Sequence, residues 1–371
     1  MLNDAPFFLS HRLPIAMAAQ EAGYDVHLAV PYHPTAAERL AREGITVHEL
    51  PLNRRSSALR GEWQLFRTLC KLYREVRPDI VHHVTIKPVL YGSFARRLTG
   101  GGPVVNAVPG LGYLFLARGP KAALRRIIVE LLYSVALRGR TSRAIFQNPD
   151  DVSLFVKNGM IDLSRVTLIR GSGVDLSHFA YSDPPAAAPL QVVLPARMLR
   201  DKGVMEFVTA ARSLRAAFPT ARFILVGDSD VNRSAVAAEQ LRAWQDEGIV
   251  EWWGHRTDMV GVLRQAAIVC LPSYREGVPK ALLEAAASGR PIVTTDVPGC
   301  REVVKNDENG ILVPARDSKA LAAALGRLLA DADCRLRMGR AGRLRAEREF
   351  DIREVVRQSL MVYDLLLGAR P

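Results

Sequence analysis

Cysteine is scarce in this sequence and nowhere arranged for chemistry. Cys70, Cys270, Cys300 and Cys334 are far apart and form no C-x-x-C pair, so neither a disulfide framework nor a zinc site is indicated and a reducing compartment is expected. Metal-ligand spacing is also missing. The eight histidines are scattered without an H-x-x-x-H pair, and a D-x-D spacing occurs at Asp228 with Asp230 in VGDSD. Gly227 reads there as the tight turn after a strand, which suits the two carboxylates to turn or capping roles rather than to a metal. No stretch reads as a secretory signal, and no hydrophobic run is long enough to span a bilayer. The longest apolar-rich segment, Ile127 to Leu137, is short and carries Glu130. Zinc-finger, RRM-like and helix-turn-helix signatures are absent, so the net charge of +12 does not by itself point to nucleic acid.

What is present is an ordinary globular composition, 49% hydrophobic and 24% charged, in a chain of 371 residues, enough for two domains. The charge is uneven: residues 1–180 hold 23 Lys and Arg against 14 Asp and Glu, and the remainder holds 27 against 24. The first half alternates candidate strands (Asp25 to Val30, Thr46 to Leu50, Ile80 to Val84, Val104 to Ala107, Arg143 to Gln147, Val166 to Ile169) with helical patterns. A second set (Gln191 to Ala196, Arg222 to Val226, Val250 to Trp253, Ile268 to Leu271, Ile292 to Thr295, Gly310 to Val313) follows the proline-rich joint Ser182 to Pro189. Such alternation predicts mainly parallel, doubly wound sheets, and the joint reads as a hinge. The opening MLNDAPFFLSHR enters a helical pattern almost at once, without the hydrophobic strand that a doubly wound sheet places at its centre. The expectation is that this first strand is missing and that the natural chain starts upstream of Met1.

Chemistry concentrates in the second half. The segment SYREGVPKALLEAAASGRPIVTTDVPGCREVV, Ser273 to Val304, places Glu276 and Glu284 eight residues apart around a predicted helix start. Pro279 suits the first helical position and Gly289 the stop, with Ala281, Leu282, Ala285 and Ala286 supplying a buried face. The free N–H groups and positive dipole end beside Glu276 suit an anionic ligand that carries hydroxyls. A surface loop before a core helix would give the same spacing, but a second feature adds to it. In QVVLPARMLRDKG a buried strand leads directly to Arg197 and Lys202, at the end of the sheet where open α/β proteins bind ligands. Two cations there could hold a diphosphate.

With GSGVDLSHF, Gly171 to Phe179, these residues make the chain resemble a family 4 glycosyltransferase of the GT-B fold. The resemblance runs over nearly the whole chain and implies two Rossmann-like domains facing a central cleft. Residues 1–180 would bind acceptor, residues 181–350 the nucleotide sugar, and a helix over 351–371 would cross back to the first domain. It implies transfer of a sugar from a nucleotide-activated donor, expected to be UDP-linked, with retention of configuration and no bound metal or other cofactor. By the same resemblance Glu276 would orient donor-sugar hydroxyls, Glu284 would hold the ribose, and Arg197 and Lys202 would face the diphosphate. Gly173, His255, Arg256, Gly277, Val278, Pro279, Lys280 and Ala281 would complete the donor site. The physical logic agrees: breaking the bond to the diphosphate develops negative charge that nearby cations and helix N–H groups stabilise most once it is formed.

The first domain resembles the subgroup that builds bacterial surface polysaccharides on polyprenyl-diphosphate carriers. That makes a lipid-linked saccharide the expected acceptor, with His11, Thr85, Lys87, Gly110 and Gly112 as contacts in the loops Asn3 to Arg12, His82 to Pro88 and Val108 to Tyr113. Helix caps and ordinary loop groups would read the same way. Family members often have a histidine near the position of Val108, so no histidine proton shuttle carries over. In Gly119 to Arg140, Lys121, Arg125 and Arg126 stand beside Leu124, Ile127, Ile128 and Leu131, which reads as a core-facing helix with a basic side or as a face for an anionic membrane. The expected protein is cytoplasmic and peripheral on the inner face of the plasma membrane, with no nucleic-acid partner. Two alternatives stay open: a sugar-nucleotide epimerase of the same fold, and a non-catalytic basic module bound to membrane or nucleic acid.

Overall fold

The computed structural model describes residues 1–52, 59–111, 119–139, 141–229 and 234–368. It divides into two compact units, Met1–Ser172 with Arg353–Pro371, and Gly173–Ile352.

In the first unit helices α1 (Ala5–His11) and α2 (Leu13–Glu21) precede β1 (His27–Val30), α3 (Pro34–Arg42), β2 (Thr46–Glu49) and α4 (Leu59–Val76). Then come β3 (Val81–Val84), α5 (Ile86–Leu98), β4 (Val104–Val108), α6 (Pro120–Ala136), β5 (Ser142–Phe146), α7 (Pro149–Lys157) and β6 (Val166–Leu168). All pairings are parallel, in two separate sheets, β1-β2 and β3-β4-β5-β6. The expected loop from Asn3 to Arg12 is helix α1: Asp4 takes the extended N-cap conformation and Pro6 falls in the first turn, where its missing N–H costs nothing. One core lies around Phe146 and Phe155, whose rings meet edge to face at 4.8 Å, and another around Leu65, Leu69 and Tyr73 of α4.

The second unit runs β7 (Gln191–Pro195), α8 (Val204–Leu214), β8 (Arg222–Val226), α9 (Ala238–Asp246), β9 (Glu251–Trp252), α10 (Met259–Gln265), β10 (Ala266–Leu271), α11 (Lys280–Ala287), β11 (Ile292–Thr295), α12 (Cys300–Val303), β12 (Gly310–Val313), α13 (Ser318–Ala330) and α14 (Ala332–Glu349). Its six parallel strands have the order β12-β11-β10-β7-β8-β9. Strands of a sheet covered on both faces read as near-continuous apolar runs, as β10 (AAIVCL) and the VVL and FILV runs of β7 and β8 do. Val192 and Leu194 of β7 face one core with Phe207 of α8 and Leu325 of α13, while Val193 faces the other with Leu282 and Leu283 of α11. Full burial of a side chain such as Phe207 contributes about 1.5–3 kcal/mol.

Two expectations need correction. The proline-rich segment from Ser182 is no free joint, because buried Arg290 bonds the Ser182 carbonyl and hydroxyl, and Arg335 bonds the Ala186 carbonyl at 3.1 Å. The division instead falls between Ser172 and Gly173. The backbone at Val174 explains it, accepting from Ile352 at 3.1 Å and donating to Phe350 at 2.9 Å within the second unit. Of the last helix, α15 (Ile352–Leu367), the residues from Arg353 onward group with the first unit, where the Tyr363 hydroxyl bonds His82 Nδ1 at 2.7 Å.

Candidate active site

The sheet of the second unit grows outward from β7 in one direction through β8 and β9, and from β10 in the other through β11 and β12. The order reverses between β7 and β10, which opens a crevice at their carboxyl ends. Lys202 follows β7 and Glu276 follows β10, and their side chains meet there: Lys202 Nζ lies 2.5 Å from Glu276 Oε1. Both are largely withdrawn from water, with side-chain exposures of 21% and 11%.

Local backbone rules explain the approach. Lys202 ends a short turn that Gly203 closes at φ +76°, and a Cβ on Gly203 would stand 2.2 Å from the Pro272 carbonyl oxygen. Only glycine permits both the left-handed conformation and that contact. The Tyr274 N–H donates to the Asp201 carbonyl at 2.9 Å, fastening the two loops together. On the other side the Glu276 N–H donates to the Pro298 carbonyl at 3.2 Å, and Gly299, at φ +83°, sits against the Gly277 carbonyl. Ser273, buried and held by Thr295 through its carbonyl, donates its hydroxyl to Glu276 Oε1 at 2.7 Å. Sequence reasoning missed Ser273. Its position three residues before Glu276 was the available signal, but that spacing is also that of an ordinary cap.

One turn into α11, Lys280 Nζ and Glu284 Oε1 lie 3.3 Å apart. Burial pushes the Glu284 carboxyl above its ordinary range, against the opposing pull of Lys280 and then His178. His178, the other missed residue, belongs to the glycine-containing segment before β7, where the Asp175 carboxylate accepts from the N–H groups of Ser177 and His178. Gly173, the third residue of that segment, has φ +72°, with no room for a Cβ beside the Ile352 backbone. Pro279 is the N-cap of α11 and Lys280 its first residue, one position later than predicted. Val278 and Pro279 are buried, and Gly277 and Ala281 are half-buried.

Arg197 is exposed at the end of β7, on the same end of the sheet. His255 and Arg256 follow β9 and are exposed; the His255 N–H donates to Asp228 Oδ1 at 2.9 Å, and Arg256 lies 5.5 Å from the Trp253 ring centroid. Asp228 therefore ties the β8 and β9 loops together, while Asp230 lies outside the described residues. Among the described residues no group of three or more His, Cys, Asp or Glu could hold a metal ion.

In the first unit Thr85 and Gly110 follow the adjacent strands β3 and β4, and the Thr85 N–H donates to the Ala107 carbonyl at 3.1 Å. Thr85 is the N-cap of α5 at φ +76°, a strained conformation for a β-branched residue, and its buried Oγ1 has no hydrogen-bond partner. Lys87 Nζ lies 2.5 Å from Glu62 Oε1. His11, at the end of α1, stacks on Phe7 at 4.1 Å and shares a 2.7 Å hydrogen bond with the Ser10 hydroxyl. Gly112 lies outside the described residues.

Two family models divide the chain between them: one described as "Glycosyl transferase 4-like" matches residues 3–148, and one described as "Glycosyl transferases group 1" matches residues 189–331. The chain belongs to the family 4 glycosyltransferases of the GT-B fold. This glycosyltransferase is 28% identical to the N,N'-diacetylbacillosaminyl-diphospho-undecaprenol alpha-1,3-N-acetylgalactosaminyltransferase of Campylobacter jejuni, over 97% of this chain and 98% of the relative. It is 26% identical to the UDP-Gal:alpha-D-GlcNAc-diphosphoundecaprenol alpha-1,3-galactosyltransferase of Escherichia coli, over 71% and 70%. Its fold matches Anabaena HepE in complex with UDP and glucose with a TM-score of 0.76 at 18% identity, covering 98% of each chain.

Proposed function

We propose that this glycosyltransferase moves a hexose or N-acetylhexosamine from a UDP-sugar to a lipid-diphosphate-linked saccharide in bacterial surface polysaccharide synthesis, with retention of configuration. The carrying observation is the Lys202–Glu276 pair at the reversal of strand order, beside the start of α11. Lys202 and Arg197 would supply positive charge to the departing diphosphate, helped by the helix dipole, and that charge lets the leaving group separate without a metal. Glu276, an acceptor held by Lys202 and Ser273, would receive the sugar hydroxyls, and Glu284 those of the ribose. The names of the two relatives and the UDP bound by the Anabaena protein support the choice of donor and acceptor.

The acceptor side rests on Thr85, whose unpartnered buried hydroxyl at the mouth of α5 suits a phosphate oxygen. A membrane-bound acceptor also fits α6. That helix was expected to face the core, yet Leu124, Ile127 and Leu131 are 60%, 61% and 62% exposed, and only its end is buried, at Tyr133, Ser134 and Ala136. With Lys121, Arg125 and Arg126 beside them these side chains form an apolar stripe edged with cations, suited to the anionic inner leaflet. Among the described residues no helix is long and apolar enough to cross a membrane. The test is a panel of nucleotide sugars with and without a synthetic diphospholipid-linked saccharide, read as released nucleotide. Release that requires acceptor supports transfer; conversion of the donor sugar without release makes the protein an epimerase instead.

A further inference from the structure

Lys202 and Glu276 meet across a junction that no strand pairing or helix turn fixes. Lys202 belongs to the turn after β7, and Glu276 to the irregular residues 272–279 between β10 and α11. An irregular loop keeps its place through its bonds to the surroundings. Towards β11 the Glu276 N–H supplies one, to the Pro298 carbonyl. Towards β7, beside the Lys202 contact itself, two come from Tyr274, and they straddle Lys202. The Tyr274 N–H donates to the carbonyl of Asp201, the residue before Lys202, at 2.9 Å. Its hydroxyl donates to Glu206 Oε1, in the first turn of α8, at 2.6 Å. Tyr274 stands two residues before Glu276, so one residue couples the two loops.

The neighbours of this phenol are arranged about it. Burial, and then the bond to Glu206, raise the Tyr274 hydroxyl, which keeps it a donor at neutral pH. The other Glu206 oxygen, Oε2, is buried without a hydrogen-bond partner among the described residues, so the Tyr274 hydroxyl is what answers this carboxylate. Arg316, after β12, places its guanidinium 4.5 Å from the Tyr274 ring centroid. Its backbone is at φ +66°, a strained conformation for a residue other than glycine, of the kind that persists where the surroundings enforce it. The next residue, Asp317, caps α13 by accepting from the Ala320 N–H at 2.9 Å, which gives the stacked guanidinium a fixed base. The starts of α8 and α13 thus converge on one side chain of the Glu276 loop.

We infer that Tyr274 is a positioning residue for sugar transfer: through Glu206 and Asp201 it holds the Glu276 loop against the Lys202 turn, at the separation of 2.5 Å between Lys202 Nζ and Glu276 Oε1. The inference rests on the reading of that pair as the transfer site. Tyr274 acts through the pair and touches neither the sugar nor the diphosphate. Misplacing a reacting group by about 1 Å can cost about 100-fold in rate, so loosening one of the two bonds to the Lys202 side should cost about 10-fold.

Tyr274→Phe removes one oxygen and leaves the ring under Arg316. It should lower kcat about 10-fold while UDP affinity, read by calorimetry, stays within about 2-fold of the parent. Glu206→Ala should lower kcat by the same factor, and Glu206→Gln, whose side-chain oxygen still accepts from Tyr274, should restore it to within about 3-fold of the parent. Tyr274→Phe combined with Glu206→Ala should be no slower than either alone, because all three lose the same bond. A hydroxyl that only supports the fold would lower stability and leave the kcat of the folded protein unchanged; that result, or losses that multiply in the double variant, overturns the inference. If the parent transfers no sugar, it is the transfer reading that fails, and urea denaturation still decides this one. Lys202→Ala should then reduce the folding equilibrium constant by a factor at least about 5-fold smaller in Tyr274→Phe than in the parent, because the contact is already loosened, and an equal reduction overturns the inference.

Discussion

Replacing Lys202 with Ala separates a catalytic cation from a structural one. The pair it breaks has a 2.5 Å contact and side chains 21% and 11% exposed, between a surface ion pair worth at most about 1 kcal/mol and a buried one whose disruption costs about 3–5 kcal/mol. We therefore expect a stability loss of about 2 kcal/mol, since Glu276 keeps Ser273 but loses its counter-charge. If Lys202 also stabilises the leaving diphosphate, turnover falls by about 100-fold or more, equivalent to about 2.7 kcal/mol at the transition state. The double variant Lys202→Ala, Glu276→Gln distinguishes the two roles. With no stranded carboxylate it should recover about half of the lost stability, read by urea denaturation, and none of the lost rate, read as nucleotide release. The reasoning fails if turnover recovers together with stability, or if Lys202→Ala alone keeps the parental turnover.

Glu284→Gln should weaken UDP binding about 10-fold or more by calorimetry, while Glu276→Gln should spare UDP and impair transfer. Because burial raises the Glu284 carboxyl, its ionisation destabilises the fold above the raised value and has no effect below the unfolded one; Glu284→Gln should gain stability over the parent as pH rises through that range, and UDP binding by the parent should weaken as pH falls through it. Gly203→Ala adds a Cβ 2.2 Å from the Pro272 carbonyl at positive φ and should cost about 1–3 kcal/mol and displace Lys202, lowering turnover more than UDP affinity. Changing Lys121, Arg125 and Arg126 to Gln should reduce binding to anionic vesicles, by a margin that shrinks with salt, and leave transfer to a short soluble acceptor unchanged; undiminished binding at low salt would place the membrane face elsewhere.

The Lys202–Glu276 pairing in the second unit was partly legible because its signals are local. Strand β10 is an unbroken apolar run and β7 is apolar after Gln191, and Lys202 and Glu276 stand just past their ends, so the α/β pattern alone sent both to one edge of a sheet. That they touch depends on strand order and on Gly203 against Pro272, a tertiary contact with no sequence period. Ser273 and His178 were missed for the same reason. Helix α1 was read as a loop because its seven residues carry too little periodicity. The outward stripe of α6 stayed ambiguous in the sequence because an apolar side chain at helical spacing looks the same whether it is buried or exposed. Ser182 to Ala186 resembled a hinge by composition, and only buried Arg290 and Arg335, far along the chain, fix it to the second unit.

The central claim is retaining, acceptor-dependent sugar transfer at the Lys202–Glu276 site. It is tested most directly by the anomeric configuration of the product, measured by NMR after reaction of an α-linked UDP-sugar with a diphospholipid-linked saccharide in excess chelator. The account predicts an α-linked product formed at the uninhibited rate and lost in Lys202→Ala; a β-linked product, a strict requirement for added divalent metal, or full activity without Lys202 would contradict it.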